Sequence, residues 1–377
     1  MKRRKPVDQR VEILFLSQED MIEAGVLDMQ NCVDVMDKTF RLLGEGDYLM
    51  GGPSGNQHGM KMYFPKEARG PRMPVDGPDR RFMALVSYLG GDFHHCGTKW
   101  YGSNIENPAR HGLPRSVLLV IINDPETGVP LAIMDGNLIR AMRAGAVIGL
   151  GARYLTRKDA EVAGVIAAGV ISKTCLQALD VGMPKLKEVK VFDINREKAE
   201  AFSQEMKEKL GLNIYPVDSL EAAVRDSDAV SSATSRVKIP YFKSEWFKAG
   251  AFFGLSSQAN LADDFWLSAG VVADNWHMHM DWREEALRMP EDSMKLLIYG
   301  SLHQLILNGL MKDGDIVEMG QVVRGAVPAR VNEDQRVIYI TGGMGIEDVA
   351  LGSTIYKQAA EKGIGKKLRL WDKPYWY

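Results

Sequence analysis

The 377-residue chain carries 47 basic and 49 acidic residues, a net charge of −2, and is 45% hydrophobic and 25% charged. This is the make-up of an ordinary globular protein, and its balanced, scattered charge offers no basic field for nucleic acid or anionic lipid. A small-molecule ligand is therefore expected, and the length favours two domains over one core.

The basic start MKRRK runs into PVDQRVEILFLSQED with no uninterrupted apolar segment or small-residue cleavage site, so no targeting signal is expected. The longest apolar run, VLLVII at 117–122, is too short to span a bilayer. Cys32, Cys96 and Cys175 are an odd set without paired spacing, which points to a reducing cytoplasm.

Ser17 and Asp20 have the spacing of a capping box and predict a short helix. Met29, Val33, Met36, Phe40 and Leu43 recur at three- and four-residue steps, predicting a helix over about 29–43 with a core-facing stripe and Gly44 as its stop. Between 48 and 82 the pattern breaks, and the Pro-, Gly- and Arg-rich 65–82 stretch reads as either a lid or a disordered loop. Strand-like runs at 83–89, 96–101 and 116–122 follow, the last joined to VPLAIMD by the turn NDPETG, which predicts an antiparallel or mixed sheet. MRAGAVIGLGARYL is helical in spacing.

From 162 strands and helices alternate: VAGVI, a helix at 170–180, VKVF, a helix at about 195–210, NIYPV, a short helix near 219–225, AVSSA, AFFGL and GVVAD. Such alternation marks a parallel sheet with crossover helices, the α/β class. HHC at 94–96 and HMH at 277–279 lack a second ligand pair at recognisable spacing, so no metal site is expected. Trp276 and Trp282 are expected to pack at a domain or subunit contact.

The stretch GVIAAGVISKTCLQAL at 164–179 places Ala167, Gly169 and Ser172 at the three small-residue positions of a dinucleotide-binding turn. Alanine at 167 is tolerable at negative φ and costly otherwise; serine at 172 is small enough for close packing. The helix that opens there would present free amides and a positive dipole end to a pyrophosphate, giving Ala167, Ala168, Gly169, Val170, Ile171 and Ser172 as candidate cofactor residues. Asp193 closes the next strand near the expected offset for a carboxylate on the ribose hydroxyls, favouring NAD over NADP, although the neighbouring Arg196 is of the kind that accepts NADP. Asn195, Ala233, Thr234, Gly254 and Ser256, in or beside later strand ends, complete the candidate cofactor set.

GTKWYGSNIENPARHGLPRS at 97–116, DPETGVPLAIMDGNLIRAMRAGA at 124–146, the turn at 164–179 and GMGIEDVALGSTIYKQAAEKGIG at 343–365, in this order, resemble the ornithine cyclodeaminase/mu-crystallin family. The resemblance is greatest to a branch named for the second component of a tyramine oxidase. It implies a Rossmann-type NAD-binding domain at 151–325, inserted in an α+β substrate and dimerisation domain made of 1–150 and 326–377. It also implies a homodimer and NAD(P)-linked chemistry at the C–N bond of an amino or imino acid. The alternatives within the family are an ornithine cyclodeaminase that uses NAD without net turnover, and a non-enzymatic mu-crystallin-like binding protein or oxidase partner subunit.

By the same resemblance Lys99 falls on the family's active-site lysine and Arg143 on the arginine that grips the substrate carboxylate. Both suit the task, one as a point charge able to pass a proton and the other as a planar fork. Ala144 stands where the family has a threonine, and His58 or Lys61 are the candidates to replace a second carboxylate-binding arginine. Cyclodeaminases carry an aspartate where this chain has Ser256. Asp348 matches a family aspartate that is either a helix-end structural residue or a site residue.

Overall fold

The computed structural model describes residues 9–234, 239–289 and 297–376; the MKRRK start lies outside them. Two eight-stranded sheets divide the chain. The first runs in the order Lys366–Trp371, Val11–Leu16, Pro130–Asp135, Ser116–Asn123, His95–Ser103, Arg81–Leu89 and Tyr48–Met50, with Met60–Tyr63 also paired to Arg81–Leu89. It is mixed: Val11–Leu16 and Pro130–Asp135 run parallel and the remaining pairs antiparallel.

One face of this sheet is covered by the helix Gly345–Lys362, which lies across the strands Arg81–Leu89, His95–Ser103 and Ser116–Asn123. Period-two alternation fixes what points at that helix. In His95–Ser103 the residues His95, Gly97, Lys99, Tyr101 and Ser103 are buried, so Lys99 enters the protein interior between its register partners Leu85 and Val120. Val86, Trp100, Val117 and Leu119 lie exposed on the opposite face.

The capping box at Ser17 and Asp20 forms and starts the helix Gln18–Ala24. The next helix, Met29–Glu45, does not stop at Gly44. Gly46 caps it at φ 79°, and Gly44 instead lies against the backbone of Gly320, where a Cβ would clash. A contact glycine near a helix end looks in sequence like a terminator.

The second sheet is all parallel, in the order Asn213–Pro216, Glu188–Phe192, Val162–Ile166, Ala229–Ser232, Phe252–Leu255, Val337–Ile340, Gly270–Ala273 and Ile316–Glu318. The order reverses direction between Val162–Ile166 and Ala229–Ser232, the kind of switch point outside whose carboxyl ends ligands bind. Val337–Ile340 belongs here, so the chain leaves this sheet after Ile340 and not at 326. Four residues between Phe252–Leu255 and Gly270–Ala273 pair on both edges, a tertiary fact with no local signature.

The helix Gly136–Leu155 joins the two halves. Asp135 caps its start by accepting from Leu138 N at 2.9 Å, so it begins earlier than the spacing after Ala141 suggests. Gly145 and Gly149 let it lie directly on the helix Val170–Gly182, with Gly145 against the Thr174 backbone and Gly149 against Ala178. No helix among the described residues is long and apolar enough to cross a membrane.

Candidate active site

The close helix contact fixes Arg143 relative to the cofactor turn, and the helix Gly345–Lys362 brings two acids to meet it. Glu347 and Asp348 occupy that helix's first turn, where the dipole favours negative charge. Arg143 Nε donates to Asp348 Oδ1 at 3.2 Å and Nη1 to Glu347 Oε2 at 2.5 Å. Lys99 Nζ donates to Asp348 Oδ2 in a short ion pair. Lys99 and Arg143, from different elements, thus share one buried carboxylate. Asp348 is the carboxylate on which the two cations meet, and Glu347, which the sequence did not single out, joins them through Arg143.

The turn before the acids is held from below. Asp274 Oδ2 accepts from Gly342 N at 2.6 Å and Gly343 N at 3.1 Å, and its Oδ1 meets His279 Nε2 at 2.9 Å. Gly343, at φ 78°, lies so close to Arg143 that a Cβ would stand 2.6 Å from Nη1. A side chain here would push the guanidinium away.

Burial sets the protonation of this cluster. Desolvation lowers the Lys99 pKa to about 8, with Arg143 and Arg140 adding to the fall and Asp348 resisting it. Burial raises Glu347 to about 7, helped by Asp274 and Asp348 and opposed by Arg143. For Arg143 burial works against the charge, but Asp348 and Glu347 outweigh it and raise its pKa. Glu347 Oε1 is buried without a hydrogen-bond partner.

These groups open into a cavity of about 750 Å³ that also reaches Ile171, Thr234 and Ser256. Met83, Leu85, Leu118 and Val147 supply apolar walls. Such a cavity is in the range that takes a cofactor head and a small substrate together. His58, Lys61, Arg81, Arg115 and Arg140 line it as well. His58 does not replace an arginine as a charge: burial, then Lys61, Lys99, Arg143 and Arg81, hold it well below the usual histidine range, so it is neutral. Its ring packs 5.0 Å from Trp282, over which Lys61 Nζ also sits at 5.6 Å. Trp282 therefore does lie at a contact between the chain's two halves, on the cavity wall; Trp276 is buried, donating to Asp313 at 3.0 Å.

Arg81 and Arg115 are both paired to Asp79, Arg115 at 2.6 Å, which anchors the end of the 65–82 loop beside the cavity. Arg140, one helical turn before Arg143, was not singled out in sequence. The signal was there: arginines at i and i+3 share a helix face.

The turn at 164–179 joins Val162–Ile166 to Val170–Gly182 at the sheet's switch point. Ala167 has φ 78°, the costly case for alanine. Asp193 braces the turn: its Oδ2 accepts from Ala168 N and its Oδ1 from Asn195 N, each at 2.8 Å. Gly169 is the helix N-cap with no side-chain cap, and a Cβ there would meet nothing within 4 Å. Free amides beside open space fit a dinucleotide pyrophosphate. Ser172 is buried and Val170 is exposed.

Other candidates fall elsewhere. Asn195 caps the next helix through Lys198 N, and Arg196 is engaged by Glu200 at 2.8 Å and Asp218 at 2.5 Å. Gly254 is not a cavity residue: its Cα faces Ile148 in the sheet–helix contact, where a Cβ would stand 3.2 Å away. Ala233 N bonds Ile166 O at 3.3 Å beside the turn, and Thr234 N donates to Ser257 Oγ at 2.9 Å. Ser256 lines the cavity with its Oγ 3.6 Å from Cys175 Sγ. Among the described residues no group of three or more His, Cys, Asp or Glu side chains could hold a metal ion.

Comparison with known proteins agrees with this architecture. Residues 26–363 match the model of the ornithine cyclodeaminase/mu-crystallin family. The N-((2S)-2-amino-2-carboxyethyl)-L-glutamate dehydrogenase of Staphylococcus aureus is 28% identical over 364 residues, 96% of this chain and 99% of the relative. The structure of Thermococcus litoralis Delta(1)-pyrroline-2-carboxylate reductase in complex with NADH and L-proline is similar at TM-score 0.78 and 26% identity, covering 94% of this chain and all of that one. An archaeal alanine dehydrogenase dimer with bound NAD gives TM-score 0.76 and 26% identity over 96% of this chain and all of that one.

Proposed function

Because this chain belongs to the ornithine cyclodeaminase/mu-crystallin family, we propose that Lys99, Asp348 and Arg143 form the centre at which it reduces the C=N bond of an imino acid. The chain is an NAD(H)-dependent oxidoreductase acting on the C–N bond of an amino or imino acid. One observation carries the assignment of the centre: a buried lysine and a buried arginine that line one cavity share Asp348 behind its wall, and the same cavity reaches Ile171 in the first turn of the helix that follows the dinucleotide turn.

In the reductive direction the substrate carboxylate meets Arg143, whose Nη2 makes no hydrogen bond among the described residues. Lys99, protonated near neutral pH, points its ammonium at the imine nitrogen and gives it the proton. Asp348 holds that ammonium in one orientation, so the proton is placed before reaction and not searched for during it. Ala168, Gly169, Val170, Ile171 and Ser172 would hold the pyrophosphate, with Asp193 at the ribose. When bound, NADH supplies the hydride that completes C=N to CH–NH. Met83, Leu85, Leu118 and Val147 would give the substrate's carbon chain an apolar flank.

The exposed apolar face of the first sheet, with Val86, Trp100, Val117 and Leu119, supports a homodimer closed through that face. The substrate and dimerisation part is then the N-terminal 150 residues with the segment returning after Ile340, and the dinucleotide part lies between. Three free cysteines suit a reducing cytoplasm. Membership of the tyramine oxidase branch rests on the same segments as the family resemblance.

The test is NADH oxidation, followed by absorbance, with cyclic imino acids and with 2-oxo acids plus an amine. A panel that gives no NADH oxidation, and no NAD reduction with the corresponding amino acids, overturns the reading.

A further inference from the structure

Among the described residues, every other guanidinium that lines the cavity has a carboxylate. Arg81 and Arg115 share Asp79, and Arg143 has Glu347 and Asp348. Arg140 lines the same cavity, yet among the described residues it has neither an ion pair nor a hydrogen bond. The charged groups that act on it are Arg143, Arg115 and Asp348, with Tyr101. None belongs to the dinucleotide turn.

An arginine with five donors in a partly buried, mostly cationic wall is costly unless something pairs with it. Among the described residues Asp79 answers Arg81 and Arg115, and Asp348 and Glu347 answer Lys99 and Arg143, which leaves the Arg140 guanidinium on this wall without an acid of its own. A substrate with a single α-carboxylate, held at Arg143, would leave it so.

We infer that Arg140 binds a second carboxylate, carried by the substrate on the arm remote from the reacting C–N bond, so the protein acts on dicarboxylic amino or imino acids. This rests on the cavity being the substrate site. A mono-carboxylic imino acid fills Arg143 and Lys99 and leaves Arg140 unpaired. The dicarboxylic one pairs both guanidinium groups of the helix Gly136–Leu155 in two charge-assisted contacts.

The test is equilibrium binding, which needs no turnover. NADH-loaded protein is titrated calorimetrically with glutarate and with butyrate, which has the same chain length from the first carboxylate but lacks the second. Glutarate should bind at least tenfold more tightly, and in Arg140→Gln that ratio should collapse toward one, with partial recovery in Arg140→Lys. Equal binding of the two acids by the wild-type protein overturns the proposal, as does a ratio that survives in Arg140→Gln. Binding of 4-phosphonobutyrate tenfold tighter than glutarate overturns the carboxylate assignment in favour of a phosphate group. Discrimination between glutarate and butyrate without NADH oxidation on any imine would sink the reductase reading and leave the second anion site standing.

Discussion

Lys99 and Arg143 are joined through the two oxygens of one buried carboxylate, Asp348, with Arg143 Nε at 3.2 Å. Breaking such a pair leaves an uncompensated buried charge, a loss of about 3–5 kcal/mol. Asp348→Asn should therefore lower reductive kcat/KM by about a hundredfold or more and destabilise the fold. It also removes the group that resists the fall of the Lys99 pKa, so the alkaline limb of the rate profile should move to lower pH. A limb that stays in place would remove Asp348 from the proton path.

The wild-type profile follows from the same two groups. Lys99 gives its proton only when charged, and its pKa is lowered to about 8. Reductive kcat/KM should hold below pH 8 and fall tenfold per unit above it, whereas amino acid oxidation, which needs the neutral amine, should rise through the same range. Glu347 titrates near 7, and protonation below that weakens its hold on Arg143, so substrate KM should climb on the acid side. Stopped-flow rates from pH 6 to 10 check both limbs; a flat reductive profile up to pH 10 rules out Lys99 as the donor.

Arg143→Lys should cost about 2–3 kcal/mol in substrate use, because a point charge cannot reproduce the fork toward Glu347, Asp348 and a carboxylate at once. NADH affinity should stay within about twofold, since Arg143 touches no part of the turn. Steady-state KM and a parallel cofactor titration separate the two. Equal losses in both would place Arg143 in the scaffold that holds the helices together.

What was legible in the sequence was whatever is written locally. The parallel sheet, the dinucleotide turn and the capping box at Ser17 all show in short windows, and each sits where its pattern put it. The segment matches pointed to Lys99 and Arg143, which meet at Asp348, but not to the acids around them. Glu347 and Asp348 lie more than two hundred residues from Arg143, and nothing local says that they meet it. Gly44 reads as a terminator for the complementary reason: a helix-end glycine and a helix-crossing glycine share one local pattern. Gly254 likewise serves packing against Ile148, where sequence placed it at the cofactor.

The cofactor turn separates strain from binding. Ala167 at φ 78° carries a left-handed cost of roughly 1–2 kcal/mol that glycine does not. Ala167→Gly should raise the melting temperature and keep NADH binding. Gly169→Val should do the reverse: its Cβ meets nothing in the chain, so the melt should barely move, yet the side chain occupies the space in front of the free amides and NADH binding should be lost. A Gly169→Val protein that binds NADH normally places the pyrophosphate elsewhere.

Ser256 decides between reductase and cyclodeaminase. It lies after the strand Phe252–Leu255 and lines the cavity, with Cys175 Sγ as its side-chain contact and no carboxylate bonded to it among the described residues. Cyclising ornithine requires a second amine to be held and deprotonated near the imine carbon, and a hydroxyl brings neither charge nor basicity to that task. Of the described acids that line the cavity, Glu347 is bound to Arg143 and Glu285 is exposed on the helix Trp276–Leu287. General-base assistance worth about 10²–10⁴-fold is therefore missing for cyclisation, whereas hydride transfer to a preformed imine needs no second amine and loses nothing. NAD-loaded protein given ornithine should release ammonia and proline far more slowly than the protein oxidises NADH with an imino acid. Ser256→Asp should raise ammonia release without a matching gain in reduction. Ornithine turnover by the unmodified protein at about 1 per second, within the ordinary enzymatic range, would make it a lyase.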